Sequence, residues 1–186
     1  MIFDERQIVK RIKNSDREAF KVLYDEFANR IYKFLCRKLN NSEEAADLVQ
    51  EVFVKVWNNR EKLDSSQSIK SYLFTSANNI AIDFFRKKKL EVADVEDYEN
   101  RCIYEFEQDF DIPDHIKKAV DQLPVMQKNV FYLSRFEGLK HEEISQLLKI
   151  SKRTVENHMW RALSKLRENL KHLIIFLCYI LIRCIF

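Results

Sequence analysis

Gly138 is the only glycine in this chain of 186 residues, and it is accompanied by just two prolines. Glycine supplies the positive-φ corners of tight hairpins and proline interrupts helices. A sequence this poor in both, and rich in Leu, Ile, Lys and Glu, is expected to be all-α. One glycine also cannot build a phosphate-cradling loop, which removes a large class of nucleotide-using enzymes. The four histidines (His115, His141, His158, His172) have no metal-ligand spacing with one another or with carboxylates, and no nucleophile–base pair stands out. No catalytic residue, metal or cofactor is therefore expected. Cys36, Cys102, Cys178 and Cys184 are scattered without a CxxC pair, and residues 1–13 lack the apolar run of a secretory signal. Both features suit a cytoplasmic protein with reduced thiols.

Residues 141–167, HEEISQLLKISKRTVENHMWRALSKLR, read as a helix-turn-helix. A first helix puts Ile144, Leu147 and Leu148 on one face and breaks around residues 149–151. A second follows with Val155, Met159, Ala162, Leu163 and Leu166 on its buried side. Its other side carries Arg153, Glu156, Asn157, Trp160, Arg161 and, one turn on, Lys165, hydrogen-bonding and cationic groups suited to a major groove. The alternative is a helical hairpin with a solvated basic face. The punctuation argues against it: Pro124 suits the first turn of a helix, Gly138 a helix stop, and Ser151 a hydroxyl cap for the second helix.

The net charge of +3 hides an asymmetry. Between residues 91 and 111 there are nine carboxylates against Arg101 alone, so the rest of the chain is strongly basic. Such a like-charged run reads as a flexible connector between two small helical domains, though Tyr98, Tyr104, Phe106 and Phe110 within it are able to dock. Upstream lie three or four helices. Ser15 with Glu18 forms a capping box for one that buries Phe20, Leu23, Tyr24, Phe27 and Ile31. A second begins near Ser42, with Ala45, Leu48, Val49, Val52 and Val56 inside and Asp47, Gln50 and Glu51 opposite. A third runs over about 68–89, burying Leu73, Ala77, Ile80 and Phe84, while Thr75, Asn79, Asp83 and Arg86 form a polar stripe. That stripe ends in the basic run Arg86, Lys87, Lys88, Lys89. With Tyr72 beside it for stacking, it reads as a site for single-stranded nucleic acid rather than a merely solvated face.

The segments AADLVQEVFVKVW (45–57), SYLFTSANNIAIDFFRKKK (71–89), the acidic connector and LPVMQKNVFYLSRFEGLKHEEISQLLKISKRTVENHMWRALSKLR (123–167) resemble, in that order, the extracytoplasmic-function (ECF) branch of bacterial sigma-70 factors. The resemblance implies a transcription-initiation subunit that takes core RNA polymerase to promoter DNA and promotes strand opening. It implies that Asp47, Gln50, Glu51 and Phe53 dock on the polymerase clamp. Asn79 and Asp83, with the loop 58–68 beside them, would capture an unstacked base of the minus-10 element. Lys152, Arg153, Thr154, Glu156, Asn157 and Arg161 would read the minus-35 element, with Lys165 at the far end. Glu156 departs from the basic residue often found at its position, and as an acceptor it suits a cytosine amino group. The rival is an operator-binding helix-turn-helix regulator. The expected bounds are 1–90 and 112–172 for the two domains, 91–111 for the linker and 173–186 for an apolar tail. The tail, LIIFLCYILIRCIF, is too short as a helix to span a bilayer. One reading is that it extends the recognition helix or folds back over apolar surface of the second domain. The other, favoured because one helix face cannot bury so many apolar side chains, is docking on a membrane-bound anti-sigma partner or on the membrane surface.

Overall fold

The computed structural model describes residues 4–39, 41–91 and 114–169. Among these the secondary structure is entirely helical. The acidic segment beyond Glu91 and the apolar tail 173–186 lie outside the described residues. The chain divides into two compact units, Met1–Glu105 and Phe106–Phe186.

In the first unit α1 (Glu5–Lys13) starts on Asp4, whose carboxylate accepts from the backbone N–H groups of Arg6 and Gln7 at 3.0 and 3.2 Å. Its Ile8, Val9 and Ile12 are buried. There follow α2 (Arg17–Leu39), α3 (Ser42–Asn58), a 3-10 turn (Arg60–Lys62) and α4 (Ile69–Glu91). The expected capping box on Ser15 does not form. Asp16 caps α2 instead, accepting from the N–H groups of Glu18 and Ala19 at 3.0 and 3.1 Å, while Ser15 turns the corner with φ 63°. The carboxylate is as good a cap as the hydroxyl and stands one residue closer to the helix. Its pKa is lowered, first by the Ala19 N–H and then by the Arg11 side chain, 2.8 Å away. Asn41 caps α3 in the same manner.

Helices α2, α3 and α4 each pack on the other two. Their shared core holds Leu23, Phe27, Ile31 and Phe34 with Val49, Val52, Val56, Leu73, Phe74 and Ala77. Phe34 and Phe74 meet edge to face at 5.2 Å. The buried row of α4 runs Leu73, Ala77, Ala81, Phe85 at four-residue spacing, so Phe85 is buried and Phe84, expected inside, is half-exposed. A buried lysine, Lys38, donates to the side-chain oxygen of buried Asn78.

The second unit contains α5 (Asp114–Asp121), α6 (Val125–Arg135), α7 (His141–Leu148) and α8 (Lys152–Asn169). Pro124 is the N-cap of α6 rather than its first helical residue. Gly138, at φ 63°, turns the chain after α6, and Leu139 N–H closes the corner on the Leu133 carbonyl at 3.0 Å. Val130, Leu133, Ile144, Leu147, Val155, Met159 and Ala162 are buried, whereas Leu163, expected among them, is 37% exposed. Asn129 is fully buried, yet neither atom of its amide has a hydrogen-bond partner among the described residues. Asn129→Leu is therefore expected to stabilise this unit by about 1–3 kcal/mol, because it removes an unpaired polar group and keeps the side-chain shape. An unchanged or lower melting temperature would show that the amide is satisfied.

Candidate nucleic-acid interface

The turn of the helix-turn-helix is made without glycine. Lys149 takes left-handed backbone at φ 55° after α7, and the Ile150 N–H bonds back to the Ser145 carbonyl at 3.1 Å. Ser151 then caps α8: its Oγ accepts the Thr154 N–H at 3.0 Å and shares a 2.7 Å hydrogen bond with Thr154 Oγ1. Thr154, expected to face bases, is thus half-buried and commits its hydroxyl to the cap. Arg153, Glu156, Asn157 and Arg161 are exposed along one side of α8, and Lys165 is half-buried. Lys152 is exposed but held by Glu142 of α7 at 2.8 Å; this hydrogen bond, first among the causes, raises the pKa of the ammonium. Trp160 is 71% exposed in the middle of this polar face. The sequence placed it there without a role, and its apolar neighbour one turn on, Leu163, is itself 37% exposed.

On the first unit, α4 presents Tyr72 and Asp83 exposed, with Thr75 and Asn79 half-buried between them. The cations below are mostly engaged. Arg86 pairs with Asp83 at 3.3 Å, and Lys88 pairs with Glu44 of α3 at 2.8 Å while lying over the Phe84 ring. Lys87 is exposed, and the side chain of Lys89 lies outside the described residues. The loop before α4 anchors itself by burying Leu63 and Ile69. Its tip is ordered by Asp64, whose carboxylate accepts from Ser66 N–H, Ser66 Oγ and Gln67 Nε2 at 2.8, 2.7 and 3.2 Å. These bonds, the Ser66 backbone first, lower the Asp64 pKa.

A third surface lies on α3. Asp47, Gln50 and Glu51 are exposed on its outer side, as expected. Phe53 is not an outward contact: it is 3% exposed and forms the floor of a groove of about 550 Å³ between α2 and α3. Arg17, Phe20, Tyr24, Gln50, Val54 and Trp57 make the walls. Tyr24 stacks at a tilt on Phe53 at 4.7 Å, and Phe20 meets Trp57 at 4.9 Å. The periodicity of α2 put Phe20 and Tyr24 inside, but Phe20 is half-buried and Tyr24 is 40% exposed; Val54 of α3, beside them, is 56% exposed. No helix among the described residues is long and apolar enough to cross a membrane.

Comparison with known proteins places these surfaces in a family context. Residues 23–91 match the family described as Sigma-70 region 2, and residues 114–166 match Sigma-70, region 4. The RNA polymerase sigma factor SigV of Bacillus subtilis is 32% identical over 140 residues, covering 75% of this chain and 83% of that protein. The ECF RNA polymerase sigma factor SigW of the same organism is 28% identical over 179 residues, covering 89% and 96%. Among solved structures, the sigma factor RpoE of Bartonella quintana, in complex with the anti-sigma factor NepR, shares the fold. It has a TM-score of 0.58 and 23% identity, over 82% of this chain and 96% of that one.

Proposed function

Because the chain belongs to the ECF branch of the sigma-70 family of RNA polymerase sigma factors, we propose that its three surfaces divide the work of initiation between them. It is the subunit that directs core polymerase to specific promoters and promotes strand opening, a regulatory role rather than an enzymatic one. The observation that carries the division is the coexistence of an acidic, apolar-grooved face on α3 with two separate polar faces, on α4 and α8. An operator-binding regulator needs only the last. Reconstituted transcription tests the function: with core polymerase the chain should give promoter-specific initiation, and operator-like binding without initiation would overturn it.

In this reading residues 1–90 engage core polymerase through Asp47, Gln50, Glu51 and the groove floored by Phe53, and the minus-10 element through Tyr72, Asn79, Asp83 and the 86–89 cations. Capturing a flipped base means offsetting a few kcal/mol of unstacking, for which a half-buried amide backed by cations is suited. The 91–111 segment serves as linker, and residues 112–172 read the minus-35 element in the cytoplasm, where core polymerase works. The exposure of Arg153, Glu156, Asn157 and Arg161 supports them as readers. Lys152 has to leave Glu142 to reach a phosphate, and Trp160 adds an apolar surface for a thymine methyl group or a sugar.

Arg153→Ala and Arg161→Ala are expected to act differently. A lost base contact should weaken binding by about 1–3 kcal/mol and relax preference at one position. A lost phosphate contact should weaken all sequences alike and lower the salt slope by about one. Titrations on a base-substituted promoter set at several salt concentrations separate the two, and unchanged affinity in both variants would remove α8 as the reader.

The tail 173–186 has Arg183 as its only charge. One helix face cannot bury so many apolar side chains, which supports a docking role toward a membrane-bound anti-sigma partner or the membrane surface. Truncation after Lys171 should leave transcription with core polymerase intact and reduce membrane co-fractionation in cells. Retention at the membrane equal to that of the full chain would return the tail to a structural role.

A further inference from the structure

Helix α1 carries none of the three surfaces, yet its end is tied to the loop that precedes α4. Lys13, its last residue, donates from Nζ to the Leu63 carbonyl at 2.7 Å, in a half-buried setting. The next corner adds a second tie: Arg60 Nε donates to Ser15 Oγ at 2.9 Å, with Nη1 on the Trp57 carbonyl at 3.0 Å and the guanidinium over the Trp57 ring. The two bonds bracket the 3-10 turn and seize the loop at both ends of its first half. One fixes residue 60, the other residue 63, and the exposed tip from Asp64 to Gln67 begins one residue later.

An ammonium on one main-chain carbonyl is a specific constraint. It orients the peptide plane that leads into Asp64, and Asp64 in turn organises Ser66 and Gln67. We propose that α1 is a strap that sets the shape of this loop, with Lys13 and Ser15 as positioning residues for selectivity at the captured base of the minus-10 element. The proposal rests on the reading, given above, that the loop lies beside the captured base. A loop held from outside its own sequence presents one arrangement of donors and acceptors to that base; released, it presents several and discriminates less.

The test uses full-length chain with core polymerase, on pre-melted promoter templates in which each minus-10 position is changed in turn to the other three bases. Lys13→Met removes the donor and keeps most of the stem. It should lower base discrimination at one position by about three- to tenfold, and Lys13→Arg should restore much of it. Ser15→Gly is the more telling variant, because it deletes the Arg60 acceptor while relieving a left-handed backbone, so the melting temperature should hold or rise. Loss of discrimination at the same position with no loss of stability is a result that a merely structural strap does not produce. If Gln67→Ala at the tip alters base preference while Lys13→Met and Ser15→Gly do not, the strap is wrong and the loop reading stands. Should none of the three alter it, the loop reading falls and takes the strap with it. A uniform loss at every position in the Lys13 and Ser15 variants would also overturn the proposal.

Discussion

Reversing the outer charge of α3 with Asp47→Lys and Glu51→Lys together is expected to weaken binding to core RNA polymerase by about a hundredfold or more, since like charges set against each other in an interface cost several kcal/mol. Both side chains are exposed and their helix is held by the buried Ala45, Val49, Val52 and Val56 on its other side. The fold should therefore be kept, and a thermal melt by circular dichroism checks that it is. The groove gives a second handle on the same face. Tyr24→Ala removes part of its apolar wall without changing charge, so it should weaken binding by a smaller factor that does not depend on salt, whereas the charge reversal should be partly screened by salt. Undiminished binding by the double reversal would move the polymerase contact off α3.

The second large effect is expected at Asn79. Asn79→Ala should slow promoter opening on duplex DNA by about ten- to a hundredfold while leaving the closed complex nearly unchanged, because the proposed contact exists only once a base has left the stack, a step of a few kcal/mol. Alanine is the better helix former and Asn79 is only half-buried, so α4 itself should not suffer. Pre-melted promoter DNA should recover much of the lost rate, since the strands are already apart. Open-complex formation followed on both templates decides the matter, and unchanged activity on both would remove Asn79 from base capture.

Elements and faces were legible in the sequence because helical periodicity and capping chemistry are local. The α8 register, the Ser151 cap, the Gly138 stop and the exposed trio Asp47, Gln50 and Glu51 all follow from spacing alone. The departures come where a residue's fate depends on another element. Phe84 and Phe85 are adjacent and equally apolar, and only the packing of α4 against α2 and α3 chooses between them. Phe53 and Tyr24 share one groove, but neither helix by itself shows that the other leaves it open. Lys88 reads as a free cation until the fold brings Glu44 to it from 44 residues away, and Lys152 until α7 delivers Glu142. Ser15 against Asp16 is a different case, in which two good caps stood side by side and the corner geometry took one of them.

Among the described residues three corners run through left-handed backbone, at Ser15, Gly138 and Lys149, and glycine occupies one of them. A side chain in that conformation costs roughly 1–2 kcal/mol in the native state. Glycine would avoid that penalty but would also loosen the unfolded chain, which favours unfolding by about 0.4–1 kcal/mol. The second effect offsets about half of the first, so refusing glycine at a corner costs only about 0.5–1 kcal/mol of equilibrium stability. What it changes is the denatured ensemble, which is narrower at both junctions than a glycine-cornered relative's would be. Substituting glycine at Lys149 should accordingly leave the melting temperature of the second unit within a few degrees while making its unfolded state measurably more expanded in conformational range.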